Sequence, residues 1–266
     1  MSFYPIISAP GCIGQTTLYN FSPNNWEKRS GNKACIVNLT WASDGVWNSV
    51  VLNELSFGEI VHYKRRDVSE FLPEDSLPLL SMSSLPLPKF SEILPKSHNS
   101  THMPNWRATL SLISPFSLTS YQGELDAFPE TGSLLTFAPF LQFGQEVENY
   151  MLFLNLEKNP QKRKTKLEIY NSVNPSFILG DLTVSNNTIS YIKLDDFGFS
   201  QEDLPVIVCK NMAGIPLYFS KTTDGAFLSL EHTHPPASLV IFGERWEAQK
   251  ILKKEWFSKI YEKSYR

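Results

Sequence analysis

The chain has 266 residues, of which 42% are hydrophobic and 19% charged, and its net charge is −3 from 24 Lys and Arg against 27 Asp and Glu. This composition supplies enough apolar residues for a packed core and excludes a highly charged disordered chain. A protein that binds duplex nucleic acid mainly through phosphate contacts needs a basic surplus, so we expect no nucleic-acid partner.

The N-terminal residues carry neither a basic segment nor a long apolar segment, so the sequence predicts no secretory signal. No stretch comes near the roughly 18 apolar residues that a membrane span needs. The three cysteines, Cys12, Cys35 and Cys209, are too few and too widely spaced for a disulfide framework or a zinc knuckle. We therefore expect a cytoplasmic protein without a membrane span.

The first predicted strands lie between residues 34 and 64. Apolar and polar residues alternate over 35–41 and again over 46–52, a period of two that is typical of strands. Asp44-Gly45 separates the two runs and predicts a tight hairpin, because both positions of such a turn take positive φ. With a third strand over 60–63, residues 1–71 are interpreted as a small β region.

Residues 72–105 contain six prolines, separated by serines and leucines. Proline removes a backbone donor and fixes φ, so the stretch is predicted to be an extended connector without helix or central strand. Its leucines indicate that the connector is held against the rest of the protein.

Strand patterns return after residue 106. The candidate strands are 107–114, 133–141, 147–157, 165–171, 176–184, 188–194, 205–209, 215–220, 226–234 and 237–242. Many short strands separated by turns predict a mainly β fold of one or two antiparallel β-sandwiches, jelly-roll or immunoglobulin-like, with the main sandwich over 106–243. The similarity of residues 6–10 to residues 112–115 is the one sign of an internal duplication.

A C-terminal helix is predicted within residues 244–266. The stretch 244–261 has no Pro or Gly and is rich in helix formers. Its apolar stripes include Trp246, Trp256 and Ile260, which predicts docking onto the larger sandwich with the lysines outside. A basic amphipathic helix that contacts a membrane surface or a partner is the alternative.

Tyr121, Glu124 and Asp126 form the first candidate site. On a strand the two carboxylates share a face, and carboxylates beside an aromatic ring suit the binding of sugar hydroxyl groups. The alternative is a polar turn in which Asp126 bonds to the backbone. We assign these three residues as the candidate ligand-binding site.

The second candidate site is the segment Glu231-His232-Thr233-His234-Pro235-Pro236. Two histidines spaced by two on a strand project from one face, about 6.6 Å apart along the chain. They can then bind one divalent transition metal, with Glu244 as the candidate third ligand and His62, His98 or His102 as alternatives. The alternative is a hairpin end in which the histidines bond to backbone groups.

Two functions remain open at this point. The first is a non-catalytic binding or assembly protein with a small polar molecule, sugar or glycan as its ligand, which suits a β-rich chain with 13% aromatic residues and no complete catalytic set. The second is a metal-dependent enzyme that acts on a small polar molecule through His232 and His234.

Overall fold

The computed structural model describes residues 3–20, 34–73, 76–96, 108–138, 141, 144, 146–175, 178–199, 203–232 and 245–261. These residues form seventeen β-strands, three short 3-10 helices (η) and one α-helix. The strands are β1 Tyr4–Pro5, β2 Ile13–Tyr19, β3 Cys35–Ser43, β4 Val46–Leu55, β5 Ile60–Lys64, β6 Leu79–Ser83, β7 Phe90–Ser91, β8 Ala108–Ile113, β9 Leu118–Tyr121, β10 Leu134–Phe137, β11 Val147–Leu154, β12 Lys164–Asn171, β13 Ile178–Ser185, β14 Ile189–Lys193, β15 Pro205–Cys209, β16 Ile215–Thr222 and β17 Leu228–His232. The helices are η1 Arg65–Asp67, η2 Ser69–Phe71, η3 Leu194–Phe197 and α1 Arg245–Tyr261.

The strands assemble into four small antiparallel sheets. Sheet 1 has the order β1-β6-β3-β4-β7, sheet 2 β5-β2-β8-β9, sheet 3 β14-β11-β16-β17 and sheet 4 β10-β15-β12-β13. They are arranged as the four blades of a β-propeller-like ring. The chain is thus mainly β, but the expected architecture of one or two sandwiches, jelly-roll or immunoglobulin-like, is wrong.

The physical reason is that sheet 3 is buried on both faces. On β11, Leu152 and Leu154 belong to a core cluster that also contains Trp47 of sheet 1. The alternate residues Met151 and Phe153 belong to a second core cluster, which sheet 3 shares with sheet 4. A two-layer sandwich buries one face of each sheet, so a sheet with two apolar faces needs further layers.

The two halves of the chain repeat one strand order. Sheet 1 without β7 corresponds to sheet 4, and its strands β1, β6, β3 and β4 are equivalent to β10, β15, β12 and β13, in that order. Sheet 2 corresponds to sheet 3 in the same way, and its strands β5, β2, β8 and β9 are equivalent to β14, β11, β16 and β17. The registers agree as well, since five residues of each central strand pair with the whole of one neighbour: 15–19 with 60–64 of β5, and 150–154 with 189–193 of β14. Residue 17 is thus equivalent to residue 152, and residues 62 and 109 to residues 191 and 217. The sequence similarity of residues 6–10 to 112–115 does not reflect this repeat, because the two segments occupy non-equivalent places in it.

The proline-rich segment contributes a buried strand. β6 lies between β1 and β3, and all five of its residues are buried. Pro78 and Pro86 flank this strand without entering it, so its backbone donors remain available for the ladder. The expectation that residues 72–105 contain no central strand is therefore wrong for Leu79–Ser83. Leu77, Leu79, Leu80 and Leu87 are buried, as expected, whereas Leu85 is exposed.

The predicted Asp44-Gly45 hairpin is confirmed. Asp44 has φ 52° and Gly45 has φ 76°, and the two residues join β3 to β4. The candidate strands over 147–157, 165–171, 205–209 and 215–220 correspond to β11, β12, β15 and β16, whereas the candidate over 237–242 lies outside the described residues.

The helix α1 packs on sheet 4. Ile260 is fully buried, and Trp256, Phe257 and Tyr261 pack beside it against a cluster of sheet residues, namely Leu135, Tyr170, Val206 and Val208. The hydroxyl of Tyr261 donates a hydrogen bond of 2.6 Å to the Glu168 carboxylate. In the part of the chain described, no helix is long and apolar enough to cross a membrane.

The two isoleucines of α1 make a matched test of this docking. Ile260→Ala should lower the free energy of unfolding by about 2–5 kcal/mol, because it removes a fully buried side chain from a packed interface. Ile251 is 57% exposed on the same helix, so Ile251→Ala should change the free energy by no more than about 0.5 kcal/mol. Urea denaturation of the three proteins measures the difference, and equal effects of the two substitutions would contradict the docking.

Candidate functional site

A cavity of about 150 Å³ lies in the C-terminal half, between β11 and the segment that contains η3. Five of its seven lining residues are apolar or glycine, and the other two carry polar side chains. The lining residues are Leu141, Gly144, Val147, Asn149, Leu194, Asp195 and Phe199.

The polar side of the cavity is a carboxylate held in a fixed orientation. The backbone N–H of Asn149 donates to Oδ2 of Asp195 at 2.7 Å, and the Asn149 side-chain amide donates to Oδ1 at 3.0 Å. The hydroxyl of Ser220 donates to Oδ1 of Asn149 at 2.8 Å, which fixes the amide in turn. Asn149 and Ser220 are buried, whereas Asp195 is exposed. Each carboxylate oxygen therefore keeps a further lone pair for a ligand.

The aromatic wall of the cavity is positioned by a glycine. Gly198 ends η3 with φ 65° and donates its backbone N–H to the carbonyl of Asp195. This left-handed conformation, which glycine adopts without strain, directs the chain to Phe199. The ring of Phe199 stacks on Phe197 with centroids 5.9 Å apart and planes 15° apart. The same short segment thus supplies the carboxylate and the aromatic wall.

An ion-pair cluster lies on the opposite face of β11 from Asn149. Glu148 accepts a hydrogen bond of 2.7 Å from Lys221 and one of 3.0 Å from Lys193. These two hydrogen bonds lower the pKa of Glu148 from 4.5 to about 2, and the bond from Lys221 has the larger effect. Nζ of Lys221 also packs against Gly11 in the β1–β2 connection, where an added Cβ would lie 3.2 Å away. The cluster therefore connects the two halves of the protein.

Tyr121, Glu124 and Asp126 lie at and just beyond the end of β9. Tyr121 packs against the first core cluster, and burial raises the pKa of its hydroxyl. The backbone of the intervening Leu125 pairs with Phe3. Burial first, and the charge of Asp126 second, raise the pKa of Glu124. The charge of Asp126 thus acts on Glu124, and Tyr121 packs against the core, while the ligand site of Tyr121, Glu124 and Asp126 stays a prediction.

The metal site cannot be assembled from the residues described. His232 is the last residue of β17, and its backbone pairs with Leu217, but His234 and Glu244 lie outside the described residues. Among the residues that the structure does describe, no three His, Cys, Asp or Glu side chains come together as a metal site. The His232, His234 and Glu244 site therefore stays a prediction.

A buried carboxylate elsewhere is fully engaged with the protein. Glu157 is 1% exposed and forms an ion pair with Arg163. The guanidinium of Arg163 also donates to the backbone carbonyls of Asn211 and Glu130, and Asn186 donates to Glu157 at 3.2 Å. A buried charge needs such partners, so this network is structural and offers no free group to a ligand.

One feature of the sequence indicates the residues of the cavity, although the alternation that predicts the strands does not. Asp195-Asp196 is typical of a turn, and Asp195 is not among the expected site residues. Asn149, however, precedes Met151 and Phe153 on one face of β11, and a polar residue at a buried position of a strand requires a partner. That partner is Asp195, 46 residues away in the chain.

Comparisons with known proteins give no family for this chain. No protein-family model, curated protein sequence or solved structure matches it. The functional argument therefore rests on the geometry of the described residues, in which the cavity beside Asp195 combines a fixed carboxylate, an aromatic wall and a partly open volume of about 150 Å³.

The free energy of unfolding should depend on pH through the ion pairs of Glu148 with Lys193 and Lys221. Because the folded-state pKa of Glu148 lies below its ordinary value of 4.5, its stabilising contribution is present above about pH 4.5 and is lost as the pH falls towards about 2. Wild type should thus be more stable than Glu148→Gln at neutral pH, and the gap should close on acidification. Urea denaturation at several pH values measures the gap, with Glu255→Gln on the exposed side of α1 as the control. A gap independent of pH would contradict the assignment.

Proposed function

We propose that this chain is a non-catalytic binding protein whose ligand is a small polyhydroxylated molecule, such as a monosaccharide or the terminal sugar of a glycan. The observation that carries the proposal is the Asp195 carboxylate, held by two hydrogen bonds from Asn149 at the edge of a cavity with an aromatic wall.

The chemistry of a sugar matches this set of groups. Neighbouring hydroxyl groups can donate to the free lone pairs of the two Asp195 oxygens, and a hydrogen bond to a charged acceptor is stronger than one between neutral groups. The apolar C–H face of a sugar ring can pack against Phe199. A cavity of about 150 Å³ accommodates one six-membered ring, since an engineered cavity of that size binds benzene.

The same geometry supports binding over hydrolysis. Glycoside hydrolysis uses two carboxylates about 5–9.5 Å apart, one of which transfers a proton. Asp195 is the single carboxylate among the described residues that line the cavity, and both of its oxygens are held as acceptors by Asn149. A fixed acceptor suits recognition of hydroxyl groups.

The proposal extends to partners and location. It includes a small polar or carbohydrate ligand, no nucleic-acid partner and a cytoplasmic location, and the net charge of −3 supports the absence of a nucleic-acid partner. The alternative of a metal-dependent enzyme depends on His234 and Glu244, and no observation on the described residues favours it.

Adjacent aspartates provide a matched test of the site. Asp195→Asn should weaken monosaccharide binding about tenfold or more, because it removes the charge from the acceptor and places an N–H₂ group against the Asn149 donors. Asp196→Asn removes the same charge from the neighbouring exposed residue, which does not line the cavity, and should bind as wild type does. Ligand-detected NMR with a panel of neutral monosaccharides measures the affinities.

Two outcomes decide against the proposal. One is that wild type binds none of the monosaccharides with a Kd below about 10 mM. The other is that wild type and Asp195→Asn bind equally well while both remain folded by circular dichroism.

A further inference from the structure

The internal repeat allows one face of sheet 2 to be compared, position by position, with the equivalent face of sheet 3, which is the face of β11 that carries Leu152 and Leu154. In sheet 3 this face is apolar and lies in the first core cluster. In sheet 2 the equivalent positions are polar, and we call this surface the sheet-2 polar face. The equivalent residues of sheets 2 and 3 are, respectively, Gln15 and Tyr150, Thr17 and Leu152, Tyr19 and Leu154, Thr109 and Leu217, and Ser111 and Phe219.

The repeat also places a lysine at equivalent positions of sheets 2 and 3, and among the described residues only the lysine of sheet 3 forms an ion pair. Lys193 ends β14 and forms a 3.0 Å ion pair with Glu148. Its equivalent is Lys64, which ends β5, and the position equivalent to Glu148 is occupied by Ile13, which is 47% exposed. Within the described part of the chain, no carboxylate lies within ion-pair distance of Lys64. The ammonium group of Lys64 therefore has no ion-pair partner among the described residues, while Asp67 accepts a hydrogen bond of 2.8 Å from the Lys64 backbone N–H and pairs with Arg66.

A second donor lies beside that charge. His62 is two residues before Lys64 on β5, so both side chains project from the sheet-2 polar face. Nδ1 of His62 lies 2.9 Å from the Thr17 hydroxyl and 3.3 Å from the Gln15 amide nitrogen. With the Gln15 amide nitrogen placed as the donor, Nδ1 is the acceptor and the ring hydrogen is assigned to Nε2, where it can donate to a ligand.

We propose that the sheet-2 polar face binds a compact oxyanion, a carboxylate, phosphate or sulfate group, through the ammonium of Lys64 and the Nε2–H of His62. Charge-assisted hydrogen bonds from such donors are the strongest that an oxyanion makes with side chains. This face belongs to the N-terminal half and the cavity beside Asp195 to the C-terminal half, so the site does not depend on the proposed function. An acidic sugar and a phosphate ester both carry such a group.

The test follows the imidazole signals of His62 by NMR, assigned by their loss in His62→Gln. Sodium glucuronate and glucose 6-phosphate distinguish the two sources of the oxyanion, and glucose is the neutral control. At least one of the two anions should shift the His62 signals of wild type, and glucose should not. Lys64→Met should weaken that binding about tenfold or more, whereas Lys254→Met, an exposed lysine of α1, should leave it unchanged.

A second variant keeps Lys64 in place. Ile13→Glu introduces the carboxylate that sheet 3 has at the equivalent position, so it should neutralise Lys64 and weaken anion binding as Lys64→Met does. The proposal is overturned if neither anion shifts the His62 signals at about 20 mM. It is equally overturned if folded Lys64→Met or folded Ile13→Glu retains wild-type affinity.

Discussion

Strand β11 carries buried apolar side chains on both of its faces, and the packing of the other sheets depends on this. Leu152 and Leu154 face the N-terminal half, and Met151 and Phe153 face sheet 4. Full burial of each such side chain contributes about 1.5–3 kcal/mol, whereas a whole domain is stable by only about 5–15 kcal/mol. Neither face of sheet 3 can therefore be left to water, which is why the two halves form one packed structure.

The repeated strand order shows how one plan can have different surfaces. One face of sheet 3 packs in the first core cluster through Leu152 and Leu154. The equivalent face of sheet 2 is polar, with hydrogen bonds such as that from Tyr19 to Thr109 at 3.2 Å, and Lys64 on this face has no ion-pair partner among the described residues. Identical backbone positions thus serve packing in one half and offer a polar surface in the other, and the difference is made by side chains alone.

The cavity arises from the need to satisfy a buried polar group. Asn149 interrupts an apolar face of β11, and its donors and acceptor are taken up by Asp195 and Ser220. Binding the carboxylate brings η3 against β11, and Gly198 then directs the chain to Phe199. The Glu148 cluster meets the same need on the other face of the strand, where Lys193 and Lys221 compensate the charge.

The sequence by itself determined the local elements: the period-two strands, the Asp44-Gly45 hairpin and the terminal helix, because each depends on the conformations of neighbouring residues. Only the tertiary structure decided that Tyr4 pairs with Leu80, that the proline-rich segment supplies β6, and that sheet 3 is covered on both faces. The alternation of apolar and polar residues identifies the buried face of a strand, but it does not identify the strand with which it pairs. A contact such as that between Asn149 and Asp195 joins residues 46 positions apart, and the sequence around one does not identify the other. The sheets and the cavity therefore depend on the packing of the whole chain.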